Sequence, residues 1–328
     1  MKKLFINTSV DPAFNLALEE LLASECRDEA VMLWRNGPSV IVGRNQNTQA
    51  EINPDALRER GIKVIRRITG GGAVYHDLGN INYTIVANDR QLDRDAFARN
   101  AQIIIDVLHR LGINAVFSGR NDILIDGKKI SGSAKSVLDK QTLFHGTLLF
   151  DVDLSVLSQV LKPDEEKIRA KGIKSVRARV TNLKEFLPQL DNDSFMKVLS
   201  SELLKVMGLD AVSEIPSGLL NKAENLADEK YRTWEWNFGS NTTYSYCCKK
   251  RFSCGSVEIA FNVCDNRICD TVISGDFFGT LPVSDLAEKI NGSIPRLEDI
   301  AGKLAVVQIA DYISGISSAE FLSLFRLG

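Results

Sequence analysis

The amino-acid sequence predicts a mixed α/β (α+β) protein of two domains, and three observations carry that expectation. Strand-like runs of β-branched and aromatic residues alternate with stretches whose apolar residues recur at helical spacing. No internal repeat or low-complexity tract interrupts the alternation. At 328 residues, with 44% hydrophobic and 25% charged side chains, the chain exceeds what one core ordinarily organises. A change of composition after Trp234-Glu235-Trp236-Asn237-Phe238-Gly239 sets the units at 1–245 and 246–328, with the polar stretch Ser240 to Tyr246 as linker.

Taken in order, Asp11-Pro12 opens a helix through Ser24, because Pro is preorganised for a first turn and Phe14, Ala17, Leu18, Leu21 and Leu22 form one apolar stripe. Val31 to Trp34 and Val40 to Val42 read as strands bracketing Asn36-Gly37-Pro38, a hairpin or tight connection. Ile62, Val64, Ile65 and Ile68 form a strand, and Ile81, Tyr83, Ile85 and Val86 another, with a glycine-rich loop between them in one sheet. Asp93 to Leu111 is helical by periodicity and stops at Gly112; His109 near its end reads as a dipole or surface residue. Asp122 to Ile125, Asp126-Gly127, then Lys128 onward is strand, tight turn, strand. Leu143 to Phe150 is a buried strand carrying His145 beside Gly146, where a missing side chain permits close approach of a ligand. Lys162-Pro163-Asp164 starts a helix, and Lys167, Arg169, Lys171, Lys174, Arg177 and Arg179 form a basic face able to meet an acidic partner. Helices follow near Asp193–Met207 and Ser217–Glu229. The second unit has strands at Ser256–Asn262 and Ile268–Ile273, then helices near Val283–Ile290, Leu297–Ala301 and Ser318–Phe325.

The chemistry concentrates in Arg66-Arg67-Ile68-Thr69-Gly70-Gly71-Gly72-Ala73-Val74-Tyr75-His76-Asp77-Leu78-Gly79-Asn80. Two guanidiniums precede three glycines, whose amides can turn toward one point without Cβ obstruction. Such a loop suits a carboxylate or phosphate. It matches neither the P-loop nor the dinucleotide fingerprint. Downstream, Ser131-Gly132-Ser133-Ala134 leaves room for a ligand, and strand alternation sends Lys128 and Lys129 to opposite faces, Lys129 inward.

Net charge is −2, so nucleic acid is not an expected partner. No run approaches a membrane span, and the N-terminus lacks the apolar core of a signal peptide; no membrane association and a cytoplasmic location are expected. Five of six cysteines, Cys247, Cys248, Cys254, Cys264 and Cys269, lie in the second unit without C-x-x-C spacing, so buried reduced thiols are expected there rather than zinc. Residues 27 to 246 contain no cysteine.

With these pieces placed, the chain resembles the lipoate-protein ligase A family over essentially its full length. The resemblance rests on Arg66 to Asn80, Gly119-Arg120-Asn121-Asp122, Lys129 to Ala134, His145 to Leu149, Val180 to Leu183, Trp234 to Trp236 and Asp11 to Ala17. It implies a biotin/lipoate ligase-like catalytic domain, related to class II aminoacyl-tRNA synthetases, with a small α+β C-terminal domain. The implied activity is ATP-dependent conversion of lipoate or octanoate to the acyl adenylate. Transfer follows to one lysine of an apo lipoyl domain of a 2-oxoacid dehydrogenase E2 subunit or of glycine cleavage H protein.

Two alternatives accompany it: a lipoyltransferase using preformed lipoyl-AMP, and a cysteine-dependent octanoyl or lipoyl transferase, which the absence of cysteine from residues 27 to 246 opposes. A carboxylate attacking a phosphate brings two anions together, so a fixed cation between them is the first requirement. Lys129 is the expected catalytic residue. Expected around ATP and the adenylate are Arg67, Thr69, Gly70, Gly71, Gly72, Ala73, Val74, Tyr75, His76, Asn80, Asp122, Ser131 and Gly132. Leu16, Leu18, Arg67, Lys129, His145 and Gly146 are expected around lipoate, and Asp122 is also the candidate Mg²⁺ ligand.

Overall fold

The computed structural model describes residues 2–26, 28–87, 94–119, 121–138, 141–162, 180–238 and 244–325. The basic run between Lys167 and Arg179, the helix start at Pro163, Arg120, and most of the expected linker lie outside them.

Seven strands form the main sheet: β1 (Lys3–Ile6), β2 (Ala30–Arg35), β6 (Asn80–Ala87), β10 (Gln141–Leu149), β9 (Lys128–Leu138), β8 (Asp122–Ile125) and β7 (Val116–Phe117), in that spatial order. Only β1 and β2 run parallel. A second sheet has the order β4 (Lys63–Arg66), β3 (Ser39–Val42), β5 (Val74–His76).

Strand alternation sorts the residues of β6 and β10 onto two unlike faces. Ile81, Tyr83, Ile85, Phe144 and Leu148 pack against α4 (Arg94–Arg110) and α6 (Asn192–Met207) in one core. The other face carries Asn82, Thr84, His145 and Thr147 and lies beneath α1 (Pro12–Glu25) and the second sheet. Polar residues on a buried strand face must find partners or line a cavity; here they do both.

Two expectations about connectivity change. Of the two readings of Asn36-Gly37-Pro38, the tight connection holds and the hairpin does not, because β2 belongs to the main sheet and β3 to the second. The glycine loop likewise leaves β4 for the three-residue β5, both flanking β3, while the strand beginning near Ile81 sits in the main sheet. Residues 77–80 make that switch of sheets. Asp77 Oδ1 accepts from Gly79 N at 2.9 Å, and a Cβ on Gly79 would strike the Asp151 carbonyl.

Helix boundaries follow local chemistry. Asn53 caps α3 (Pro54–Arg60), which ends at Gly61 with φ +62°. Asp191 caps α6, which ends at Gly208 with φ +66°. Asp11 does not cap α1; its carboxylate pairs instead with Arg232 at 2.6 Å and Lys63 at 3.2 Å. Between these lie α2 (Thr48–Glu51) and α5 (Leu154–Val160), then α7 (Ser217–Leu226) and α8 (Trp234–Phe238).

The chain's last part forms a third sheet, β11 (Tyr246–Phe252), β12 (Gly255–Cys264) and β13 (Arg267–Gly275), with α9 (Val283–Ile290), α10 (Leu297–Leu304), α11 (Ile309–Tyr312) and α12 (Ser318–Leu322). Its buried core draws only on residues 254–325. The thiols depart from expectation. Cys264 and Cys269 form a disulfide across the β12–β13 tip, Cys247 is exposed, and only Cys254 is fully buried.

Candidate active site

A cavity of about 290 Å³ opens between the main sheet and the second sheet. Its wall residues fall into two groups by the cores they belong to. Leu16, Trp34, Ile41 and Val74 share the core under α1, whereas Tyr75, Leu149, Leu157, Leu161 and Val180 share the core against α3 and α5. The part of the cavity walled by the core under α1 is its first lobe and the part walled by the core against α3 and α5 its second, with the neighbouring β5 residues Val74 and Tyr75 contributing one to each.

Lys129 borders the cavity at the edge of the second lobe. Its backbone pairs with Val180 of the second lobe, Thr181 N donating to Lys129 O at 3.0 Å. Its ammonium lies over Gly132, where an added Cβ would be 2.6 Å from Nζ. Gly132 is thus the space that Lys129 fills. Asp122 Oδ1 holds that ammonium at 2.7 Å, with both side chains about one-third exposed.

Arg67 does something other than offer its fork to the cavity. Nε donates to Thr69 Oγ1 (2.9 Å), Nη1 to Ile41 O (3.1 Å), and Nη2 to Gly70 O (2.8 Å) and Gly72 O (2.9 Å). Burial pulls its pKa down to about 10, and it remains a cation at neutral pH. Its donors lock the glycine loop in place. Arg66 is similarly spent on the carbonyls of Gly43, Arg44, Gln46 and Trp236 and on Thr48.

Thr69 links Arg67 to a buried carboxylate. Its hydroxyl lies 2.8 Å from His145 Nε2, and His145 Nδ1 lies 2.8 Å from Glu19 Oε2. Glu19 is 1% exposed and also accepts from Thr84 Oγ1 at 2.6 Å, which accepts from Trp34 Nε1 at 2.8 Å. Arg67 Nε donates into this chain at the Thr69 hydroxyl, and His145 Nδ1 donates out of it to the Glu19 carboxylate. Two buried charges thereby compensate each other across the first lobe.

The glycines have distinct jobs. Gly71 adopts φ +94°, its N–H donates to Phe277 O at 3.3 Å, and a Cβ on Gly70 would approach the same oxygen to 2.3 Å. The second unit therefore seats on the loop, and the Phe278 ring completes the cavity wall while meeting Phe97 at 5.8 Å. Gly72 faces open space. Gly146 borders the cavity with its backbone, yet its missing side chain is required on the opposite face, where Tyr83 Oη would lie 2.2 Å from a Cβ.

Of the residues expected at the site, Leu16, Arg67, Gly71, Gly72, Ala73, Val74, Tyr75, His76, Lys129, Gly132, His145 and Gly146 border the cavity. Leu18 is in the core of α1 and not on the wall. Asn80 donates to Asn82 Oδ1 at 2.8 Å, Ser131 meets Tyr83 on the far face at 3.3 Å, and Thr69 and Gly70 stand behind the wall. Asp122 acts through Lys129, and no group of three His, Cys, Asp or Glu side chains converges at the cavity among the described residues. Sequence reasoning missed Glu19, Trp34, Asn82, Asn121, Thr147 and Phe278. The signal for Glu19 was its place four residues after Asn15 on the buried side of α1, since both are almost inaccessible.

A largely apolar cavity with a lysine and no cysteine on its described wall fits the class of ligases that activate a carboxylic acid better than that of thiol-dependent transferases. Comparison with known proteins gives the family. The model of the lipoyl protein ligase A/B catalytic domain matches residues 11–204, and that of the bacterial lipoate protein ligase C-terminus matches residues 241–325. The lipoate-protein ligase LplJ of Bacillus subtilis is 37% identical over 322 residues, 96% of either chain. Among solved structures, LipL1 of P. falciparum in complex with lipoate superposes with TM-score 0.80 at 26% identity, covering 98% of this chain and 97% of that one. A lipoate-protein ligase A bound with ATP (TM-score 0.63, 28%) covers 73% and 98% respectively. A bipartite lipoate protein ligase from Thermoplasma acidophilum, described with its E2 lipoyl domain (0.65, 31%), covers 75% and 99%. The chain belongs to the lipoate-protein ligase family.

Proposed function

We propose that this protein activates lipoate with ATP to lipoyl-AMP, releasing pyrophosphate, and passes the lipoyl group to a lysine of an acceptor protein. The observation that carries this reading is a single cavity walled by two apolar cores with the Lys129 ammonium on its wall, held by Asp122. The lobe between α1 and β6 takes the acyl chain; the lobe bounded by Tyr75, Leu149 and Val180 takes the adenosine. Relatives in complex with lipoate and with ATP support the two occupants.

In the first step a lipoate oxygen attacks the α-phosphorus and the bond to pyrophosphate breaks. Lys129, oriented by Asp122, places one positive charge between the approaching anions. Arg67 keeps the glycine loop in shape, leaving Gly72 open toward the phosphates. In the second step the acceptor's neutral amine attacks the activated carbonyl and AMP departs, so positioning is most of the task.

Among the described residues no cluster of carboxylates builds a magnesium site at the cavity: Asp122 is paired with Lys129 and Glu19 with His145. Mg²⁺ belongs to the nucleotide, held by phosphate oxygens and water. The acceptors are apo lipoyl domains, as the E2 lipoyl domain described with the T. acidophilum ligase suggests, and glycine cleavage H protein is included in that class. Residues 1–245 form the catalytic domain and 246–328 an accessory domain that supplies Phe278. The described residues contain no helix long and apolar enough to cross a membrane, and a cytoplasmic site of action is part of this reading.

The test is incubation with ATP, Mg²⁺, lipoate and an apo lipoyl domain, followed by intact-mass analysis. The expected result is one lipoyl adduct on one acceptor lysine, dependent on ATP. An unmodified acceptor, or modification without ATP, would refute the reading.

A further inference from the structure

The inference rests on the assignment of the first lobe to the acyl group. Two atoms in that lobe, His76 Nε2 and Asn82 Nδ2, have no hydrogen-bond partner among the described residues. Their residues are 4% and 2% exposed, and both border the cavity. The surrounding network fixes what they present. Asn15 Nδ2 donates to Asn36 Oδ1 at 2.9 Å, so Asn36 Nδ2 is the donor that meets His76 Nδ1 at 3.1 Å. His76 therefore carries its proton on Nε2. Burial above all, with Arg67 and His145 adding, holds its pKa down at about 3 and the ring neutral. Asn82 Oδ1 accepts from Asn80 Nδ2 at 2.8 Å, which leaves its amide hydrogens for the cavity.

Position matters as much as chemistry. Asn82 lies opposite Thr147, whose hydroxyl accepts from Gly132 N at 3.2 Å, beneath the Lys129 ammonium. Two strand spacings, roughly 10 Å, thus separate Asn82 from the cation that holds the carboxylate. On the other side Asn82 faces Trp34, two residues before the Asn36 that orients His76. Asn82 therefore faces the acyl lobe two strands away from Lys129, with His76 joined to that side through Asn36, on a wall where the other imidazole, His145, is already committed to Thr69 and Glu19. A saturated chain ending there offers no acceptor, whereas a disulfide sulfur has lone pairs that accept weakly.

We propose that His76 Nε2 and Asn82 Nδ2 read the sulfurs of a cyclic disulfide, so that this site selects dithiolane acids over saturated acids of the same shape. The experiment is acid-dependent ATP–pyrophosphate exchange with lipoate, octanoate and cyclopentylpentanoate, the isostere with methylenes in place of both sulfurs. Expected is a kcat/KM for lipoate about tenfold above the isostere, the discrimination of a site built around unpaired donors. In Asn82→Leu that ratio falls to within about twofold, chiefly because the isostere improves. Equal use of lipoate and isostere by the unaltered protein overturns the inference without any variant, and so does an unchanged ratio in Asn82→Leu. Exchange with none of the acids would remove the proposed function and this inference together; exchange without discrimination removes the inference alone.

Discussion

Replacing Lys129 by alanine separates chemistry from folding. The ammonium sits 2.7 Å from Asp122, and both side chains retain about one-third of their exposure. A pair so placed contributes no more than about 1 kcal/mol to stability, because water screens it and can solvate Asp122 once the lysine is gone. The same charge facing a carboxylate and a phosphate at about 4 Å, with an effective dielectric near 20, is worth about 4 kcal/mol per opposing unit charge. Losing it from the transition state costs about a thousandfold in rate. The expected outcome is a Tm within about 4 °C of the unaltered protein, with acid-dependent ATP–pyrophosphate exchange reduced about a thousandfold. Exchange within about threefold of the original, in a folded variant, would refute the assignment of Lys129 to the junction between the two anions.

Three further outcomes follow from the geometry. Thr69→Val removes the hydroxyl that joins Arg67 Nε to His145 Nε2, leaving a buried cationic donor short of a partner. It should lower stability by about 3 kcal/mol in urea denaturation while Thr69→Ser stays near the original; equal stability of all three would contradict the buried chain. His76 is held neutral with a folded pKa of about 3, below the 6.5 of an unfolded histidine. The unfolded chain therefore binds the extra proton, and the contribution of His76 is complete above about pH 6.5 and is lost as pH falls toward about 3. The slope approaches about 1.4 kcal/mol per pH unit, and denaturation of His76→Gln should show a flatter profile; parallel profiles would contradict it. Gly146→Ala places a Cβ against the ring and hydroxyl of Tyr83. Its thermal unfolding should show a loss of about 1–3 kcal/mol that Tyr83→Leu partly restores, and an unaffected Tm would show the two strands free to part.

The local chemistry of this chain was readable before its long-range partnerships. The Asp126-Gly127 turn, with φ +49° and +76°, and the inward Lys129 follow from residues adjacent in sequence. The Arg66 to Asn80 run announced a site, but its two arginines bind main-chain carbonyls, a fact set by which strands and loops surround them. Glu19 meets His145 across 126 positions, a pairing that no local period encodes. β11 escaped notice because Cys247-Cys248-Lys249-Lys250-Arg251 is a charged edge strand, which protects a sheet margin and erases the usual alternation. The switch of sheets at Pro38 was hidden for a related reason: a short connection between two strands looks alike whether or not they pair.

The most direct test of the account is pyrophosphate release by the purified protein with ATP and Mg²⁺ but no acceptor. Addition of lipoate should produce pyrophosphate in stoichiometric amount with bound lipoyl-AMP, and Lys129→Ala should abolish it. Absence of lipoate-dependent pyrophosphate, in a protein that still binds both substrates, would contradict the claim that the two lobes bring acid and nucleotide to reaction.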